Sequence, residues 1–102
     1  MDRIDQLRAL LDKTPGDADV MYMLAQEHTK SGEHSEAIAW YDQCLEADPD
    51  YSYAYFHKAR NELMLQRRSE ARATLERGIE RAALNQDAKA LGELEQELRD
   101  QF

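Results

Sequence analysis

Residues 18–51, ADVMYMLAQEHTKSGEHSEAIAWYDQCLEADPDY, and residues 52–85, SYAYFHKARNELMLQRRSEARATLERGIERAALN, decide the fold when one is laid beneath the other. At this 34-residue offset Ala25 falls on Ala59 and Ala37 on Ala71, while Met21 meets Tyr55, Tyr22 meets Phe56, Tyr41 meets Leu75 and Cys44 meets Gly78. The match is one of side-chain size, as expected of a unit whose inner surface repeats. Two antiparallel helices approach closely only where small side chains lie between their backbones, which gives the four alanines a geometric purpose. Carried backwards, the offset lays Ile4 on Ile38, Leu11 on Leu45 and Pro15 on Pro49, so the first segment reads as the second half of an earlier unit.

Punctuation then sets the helix limits. Ile4, Leu7, Leu10 and Leu11 form a stripe on a first helix at about 2–12, which the stretch TPGD ends. Asp17 or Asp19 can cap a second helix that runs to about 31, where Ser31 and Gly32 break it; Glu33 to Ala47 reads as a third. Tyr51, Tyr53 and Tyr55 alternate as a strand would. Ala54, Ala59, Leu63 and Met64 nevertheless continue the segment at helical spacing, so 52–65 is expected to be a fourth helix. A fifth follows at 68–82. A sixth, from Asp87 to about Gln101, carries Ala88, Leu91, Leu94 and Leu98 on one side. The expectation is an all-α chain of six helices and one domain, in which the two end helices act as caps.

Composition narrows the function. The chain has 102 residues and a net charge of −8, which repels nucleic-acid phosphates and anionic lipid at long range. No stretch approaches the roughly 20 apolar residues needed to span a bilayer, and MDRIDQLRALLDK alternates charge with Leu and Ile where an export signal has a basic patch and an apolar run, so none is expected. Cys44 is the only cysteine, which excludes an internal disulfide and suits a reducing cytoplasm. Charge is uneven: residues 14–50 carry 9 acidic and 1 basic side chain, whereas 51–82 carry 4 acidic and 7 basic. His28, His34 and His57 lack the i, i+4 pairing of a metal site on one helix face, and Cys44 lacks a histidine partner in the pattern. Nothing marks out a carboxylate pair or a glycine-rich phosphate loop. Neither a catalytic site, a metal site nor a cofactor is expected.

The 34-residue unit resembles the tetratricopeptide repeat, whose pattern reads W-x2-L-G-x2-Y, then A-x3-F, then P. In residues 18–51, Leu24 and Ala25 are similar to the L-G pair, Ala37 to Tyr41 to A-x3-F, and Pro49 to the closing proline, while Met21 and His28 replace aromatics. Residues 52–85 keep Tyr55, Ala59, Ala71 and Leu75, but Lys58, Glu62 and Ala83 replace the Leu, the Tyr and the proline. Lys58 is expected to lay its stem on the core and hold its ammonium in water. The resemblance implies an α-solenoid of antiparallel helix pairs: a half-unit at 1–17, full units at 18–51 and 52–85, and a capping helix at 86–102.

It also implies a function. In this family the first helix of each pair lines a concave groove, and that face here holds Tyr22, Gln26 and Lys30, with Asp19 and Thr29, in one unit. In the next it holds Tyr53, Phe56, Arg60 and Met64, with Leu63. An aromatic row beside a polar row suits a peptide, because aromatics give contact area at low entropic cost and cations meet carboxylates. The alternative is that the aromatics only complete the packing between helices. Some members hold a C-terminal carboxylate with lysines and asparagines on this face, a set this chain lacks. The expected role is a cytoplasmic, monomeric protein-binding adaptor for an acidic peptide with apolar side chains, with no nucleic acid or membrane partner. A self-associating structural protein, a homo-oligomer built on exposed repeat faces, is the second reading.

Overall fold

Short acidic side chains open three of the six helices. Asp2 caps α1 (Arg3–Lys13), its carboxylate accepting from the Asp5 amide at 2.8 Å, and Asp87 caps α6 (Ala88–Gln101) by accepting from the Ala90 amide at 3.1 Å. Of the two candidates at the second helix, Asp17 is the cap: it accepts from the Asp19 and Val20 amides, and Asp19 lies inside α2 (Ala18–Lys30). The remaining helices, α3 (His34–Ala47), α4 (Ser52–Met64) and α5 (Arg68–Leu84), begin without a side-chain cap and rely on packing instead. The computed structural model describes residues 2–102, and among these there are six helices and no strand. The strand-like alternation of Tyr51, Tyr53 and Tyr55 is overridden by burial of Ala54 and Tyr55 on one helical face. Among the described residues no helix is long and apolar enough to cross a membrane.

Short turns make antiparallel hairpins of α2 with α3 and α4 with α5; α1 packs on α2, α3 on α4, and α5 on α6, giving a slab of 40 × 29 × 17 Å. Ala25, Ala37, Ala59 and Ala71 are all fully buried, as the close approach of paired helices requires. Met21, Tyr41 and Cys44 fill the first hairpin together with Ala54 of α4, so the second hairpin closes the core of the first. Tyr55 and Leu75 fill the second, completed by Ala90 and Leu94 of α6. Gly78 is small by necessity: a Cβ there would stand 2.7 Å from Tyr55 Cβ.

The end helices follow the inner ones in register, with one difference. Leu7 of α1 is buried where Tyr41 and Leu75 are buried, and Ala90 and Leu94 of α6 match Ala54 and Lys58 at a spacing of 36 residues. In that register Arg3 stands where α3 and α5 have Ala37 and Ala71, and Glu95 stands where α2 and α4 have Ala25 and Ala59; both are exposed.

Lys58 departs from expectation. Its side chain is covered, and its ammonium is bonded to Asp42 Oδ1 of α3 at 2.6 Å instead of being left to water. One turn later Glu62, also buried, accepts a hydrogen bond from Thr74 of α5 at 2.7 Å. The positions where the repeat pattern has Leu and Tyr thus form a polar seam between α3, α4 and α5, and every buried side-chain polar atom described has a partner. The turns after α2, α4 and α5 place Gly32, Gln66 and Gln86 in the left-handed region at φ 75°, 61° and 56°.

Candidate functional site

The first helices of the two hairpins and α6 share one face. Thr29 of α2 donates to Asn61 Oδ1 of α4 at 3.2 Å, and Arg60 Nε of α4 lies 2.7 Å from Glu97 Oε2 of α6. Asn61 is buried and fully engaged: its amide donates to the His57 carbonyl at 2.9 Å, and its oxygen also lies 2.7 Å from His34 Nδ1. This junction fixes α2, α3 and α4 side by side and sets the spacing of the aromatic rings above it.

Tyr22 is half-buried. Its ring stacks on Tyr51 at 4.9 Å between centroids and meets Tyr41 edge-on at 5.8 Å and His57 edge-on at 5.9 Å. Phe56 in turn meets His57 edge-on at 5.3 Å. Tyr22 and Phe56 therefore belong to one continuous aromatic surface, joined through His57, a residue the sequence reading left out of the groove. Burial first, and the Arg60 charge second, hold His57 below its ordinary pKa, against the opposing pull of Glu97. A neutral imidazole results at pH 7, which suits a ring wedged between two others. Burial likewise raises the pKa of the Tyr22 hydroxyl, and the Tyr51 hydroxyl donates to Asp19 Oδ1 at 2.7 Å.

The polar members divide into two neighbourhoods. Gln26 and Lys30 line a cleft with Arg3, Met23 and Glu27; there Lys30 Nζ lies 3.4 Å from Glu27 and Arg3 Nε lies 3.8 Å from it. Arg60 belongs to the other. Its guanidinium sits 4.4 Å from the Phe56 ring centroid while bonded to Glu97, in a cleft of about 270 Å³ lined by Phe56, Arg60, Glu93, Gln96, Glu97 and Asp100. Tyr53 is exposed, and its hydroxyl pKa is raised chiefly by a hydrogen bond to Glu93. Met64 is 66% exposed.

Two features escaped the sequence reading. Both cations expected to await a ligand carboxylate, Lys30 and Arg60, have an internal one. The helix read only as a cap supplies four side chains to the Phe56 cleft. A signal for the second existed: Glu97 follows Leu94 by three residues, which puts a carboxylate inside an apolar stripe and asks for a partner.

Elsewhere the chemistry is self-contained. His28 Nδ1 lies 3.1 Å from Glu33, and His34 meets Asn61. Burial, followed by the charges of Asp48 and Asp19, pushes the Cys44 thiol up to about 12, so it remains a protonated, space-filling group.

Comparisons with known proteins agree with the helix-pair architecture. A solution NMR structure of a tetratricopeptide repeat domain protein from Salinibacter ruber is 36% identical, covers 85% of this chain and 88% of that one, and superposes with a TM-score of 0.79. The TPR2B domain of yeast Sti1 in complex with pHsp70 is 22% identical over 96% of this chain and 78% of that one, with a TM-score of 0.87. A protein from Bordetella parapertussis is similar in fold, at 22% identity over 99% of this chain and 88% of that one, with a TM-score of 0.83. No curated protein matches the chain. The family model of the tetratricopeptide repeat matches residues 28–94, from within α2 to within α6. With the repeat spacing, the paired helices and this match in agreement, the chain belongs to the tetratricopeptide repeat family.

Proposed function

We propose that this protein is a non-catalytic adaptor, and that its face formed by α2, α4 and α6 holds a short segment of another protein. Protein–protein interaction is the general role of this fold. The observation that carries the reading is the aromatic path from Tyr22 through His57 to Phe56, which continues to partly exposed groups instead of ending in the core. The Sti1 domain, described in complex with pHsp70, shares the fold and supports a peptide as the class of partner. The whole chain would act as one domain, with a half-unit at 1–17, units at 18–51 and 52–85, and the last helix at 86–102. A cytoplasmic monomer fits this role.

Covering Phe56 and Tyr53 gains about 3–6 kcal/mol in gross terms, from roughly 1.5–3 for each ring. Association entropy removes several, leaving Kd values near ~1 µM. The test is titration of a peptide selected on the wild-type protein against Phe56→Ala and Tyr53→Ala, with circular dichroism as a check on folding. Phe56→Ala should weaken binding about tenfold, mainly through faster dissociation. Unchanged affinity in both variants would remove this face from consideration. Self-association through exposed faces is the second reading, favoured by Leu10 and Leu84, which are 44% and 69% exposed. Light scattering over a concentration series separates the two.

A further inference from the structure

The expectation of an acidic partner depended on Arg60 and Lys30 being available, and the Arg60 contact reverses its logic. Glu97 is only 5% exposed, and the Arg60 guanidinium, 2.7 Å away, is the ion partner that compensates it. An acidic ligand that drew Arg60 away would strand a buried carboxylate, which is among the most costly changes a protein can undergo. A basic ligand meets no such obstacle, because its guanidinium can replace Arg60 on Glu97 and over the Phe56 ring while the carboxylate stays paired.

The rest of the cleft points the same way. Glu93, Glu97 and Asp100 face a single cation, Arg60, which Glu97 already neutralises. Asp100 accepts from the neutral Gln96 amide at 2.7 Å, a contact that brings no opposing charge, and Glu93 stands beside Tyr53 on the wall of the same cleft. Arg60 shows which chemistry the place receives: a planar cation lying 4.4 Å from an aromatic face with a carboxylate at its edge. The geometry points to a partner segment that carries arginine or lysine next to an apolar side chain, and we propose that its cation is held between α4 and α6 by Glu97, Glu93 and Asp100, over Phe56. This rests on the proposed groove being the binding face; it adds the charge of the partner and the end of the groove that reads it.

Arg60 is then an internal competitor for the site, and its removal has opposite effects under the two charge readings. A random heptapeptide phage library panned against the wild-type protein supplies the probe, and the enriched peptides are titrated into variants. Peptides rich in arginine or lysine are expected. Their affinity should rise several-fold in Arg60→Ala, which frees Glu97 and Phe56, and fall about tenfold in Glu93→Gln/Asp100→Asn, whose positions lie on the cleft rim. The double variant keeps the test open if Arg60→Ala does not fold. Enrichment of acidic peptides that Phe56→Ala and Arg60→Ala both weaken would overturn the inference while leaving the groove in place. Failure to enrich, or binders indifferent to Phe56→Ala, would overturn the groove and the inference together.

Discussion

Leu24 in the first hairpin and Lys58 in the second occupy the same place in the repeat, both covered by neighbouring helices, yet one is an apolar plug and the other an ammonium bonded to Asp42. The contrast recurs along the pair. Cys44 is matched by Gly78, His28 by Glu62, and Gly32 by Gln66. The backbones agree because the alanines at the helix crossing and the burial of Tyr41 and Leu75 are common to both. What differs is how each hairpin fills the volume around that crossing. The first does so with apolar and small groups, while the second uses a large ring at Tyr55, a missing side chain at Gly78 and a hydrogen-bonded seam. A repeat fold therefore constrains the crossing tightly and the filling loosely, provided each buried polar group finds a partner.

The comparison breaks most severely if the second hairpin loses α6. Truncation after Asn85 removes Leu94 and the partly buried Leu91 and Leu98 from the Tyr55–Leu75 core, an apolar loss of about 4.5–9 kcal/mol at roughly 1.5–3 for each side chain. That is comparable with the stability of a whole small domain. The helical circular dichroism signal should fall by more than the share of α6 alone, with aggregation on warming. An unchanged melting temperature would mean that the second hairpin stands without its cover.

A smaller effect is expected where filling meets the crossing. Gly78→Ala places a methyl 2.7 Å from Tyr55 Cβ and 3.0 Å from its Cγ. Overpacking costs about 1–3 kcal/mol, against a gain of about 1 in helix propensity, so a net loss of up to about 2 should appear in denaturant melts. Adding Tyr55→Met, the residue of the first hairpin, should recover most of it. A Gly78→Ala variant as stable as the wild type would show that α4 and α5 shift freely.

The polar seam sharpens the contrast with a change of sign. Burial is the main cause that raises the pKa of Glu62, against the lowering effects of Thr74 and Lys58. As pH rises through the ordinary carboxylate range the unfolded chain ionises first, so the contribution of Glu62 to stability declines there and is fully recovered below that range. Converting the seam to the residues of the first hairpin, with Lys58→Leu and Glu62→His, should leave stability at pH 7 equal or higher by about 1 kcal/mol, because buried ionic groups rarely outperform apolar packing. The variant should also lose the carboxylate-range slope in melts taken from pH 3.5 to 7. A large loss of stability at pH 7 would show the seam to be a net stabiliser.

The smallest effect concerns the turns. Gln66 takes the left-handed backbone at φ 61° that Gly32 takes at 75°. Gln66→Gly should raise stability by about 0.5–1 kcal/mol, and Gly32→Gln should lower it by about 1. Equal melting temperatures in all three proteins would imply that the turn side chain recovers the backbone cost through contacts of its own.

The architecture was legible because helix periodicity, turn residues and the 34-residue alanine spacing are local or strictly periodic signals, and the helix limits fall within two residues of those read from them. The groove was legible only in part. Tyr22 and Phe56 repeat at the period and could be paired by counting, whereas His57 stands at the position of Met23 and reveals itself as the link only once α2 lies beside α4. The Arg60–Glu97 contact spans 37 residues and falls outside the 34-residue period. It depends on α5 being three residues longer than α3, a length that fixes where α6 begins. Charge pairing across such a distance follows from where helices end, and ends are the least periodic part of the pattern.

Glu95 bears on how readily a stack of this kind accepts another helix. Inside it, each crossing admits the next helix because alanine leaves room for the backbones, so a perfectly repeating chain would present the same welcoming surface at both ends and grow by adding copies. Here a helix approaching α6 at that position meets the exposed Glu95 carboxylate, which would have to shed water to let the backbones close, whereas the Arg3 guanidinium is turned toward Glu27 of α2. A charged residue in an alanine position thus raises the cost of covering α6 with a further helix. A Glu95→Ala variant is expected to associate more strongly with concentration than the native protein by sedimentation, and equal behaviour of the two would deny Glu95 this effect.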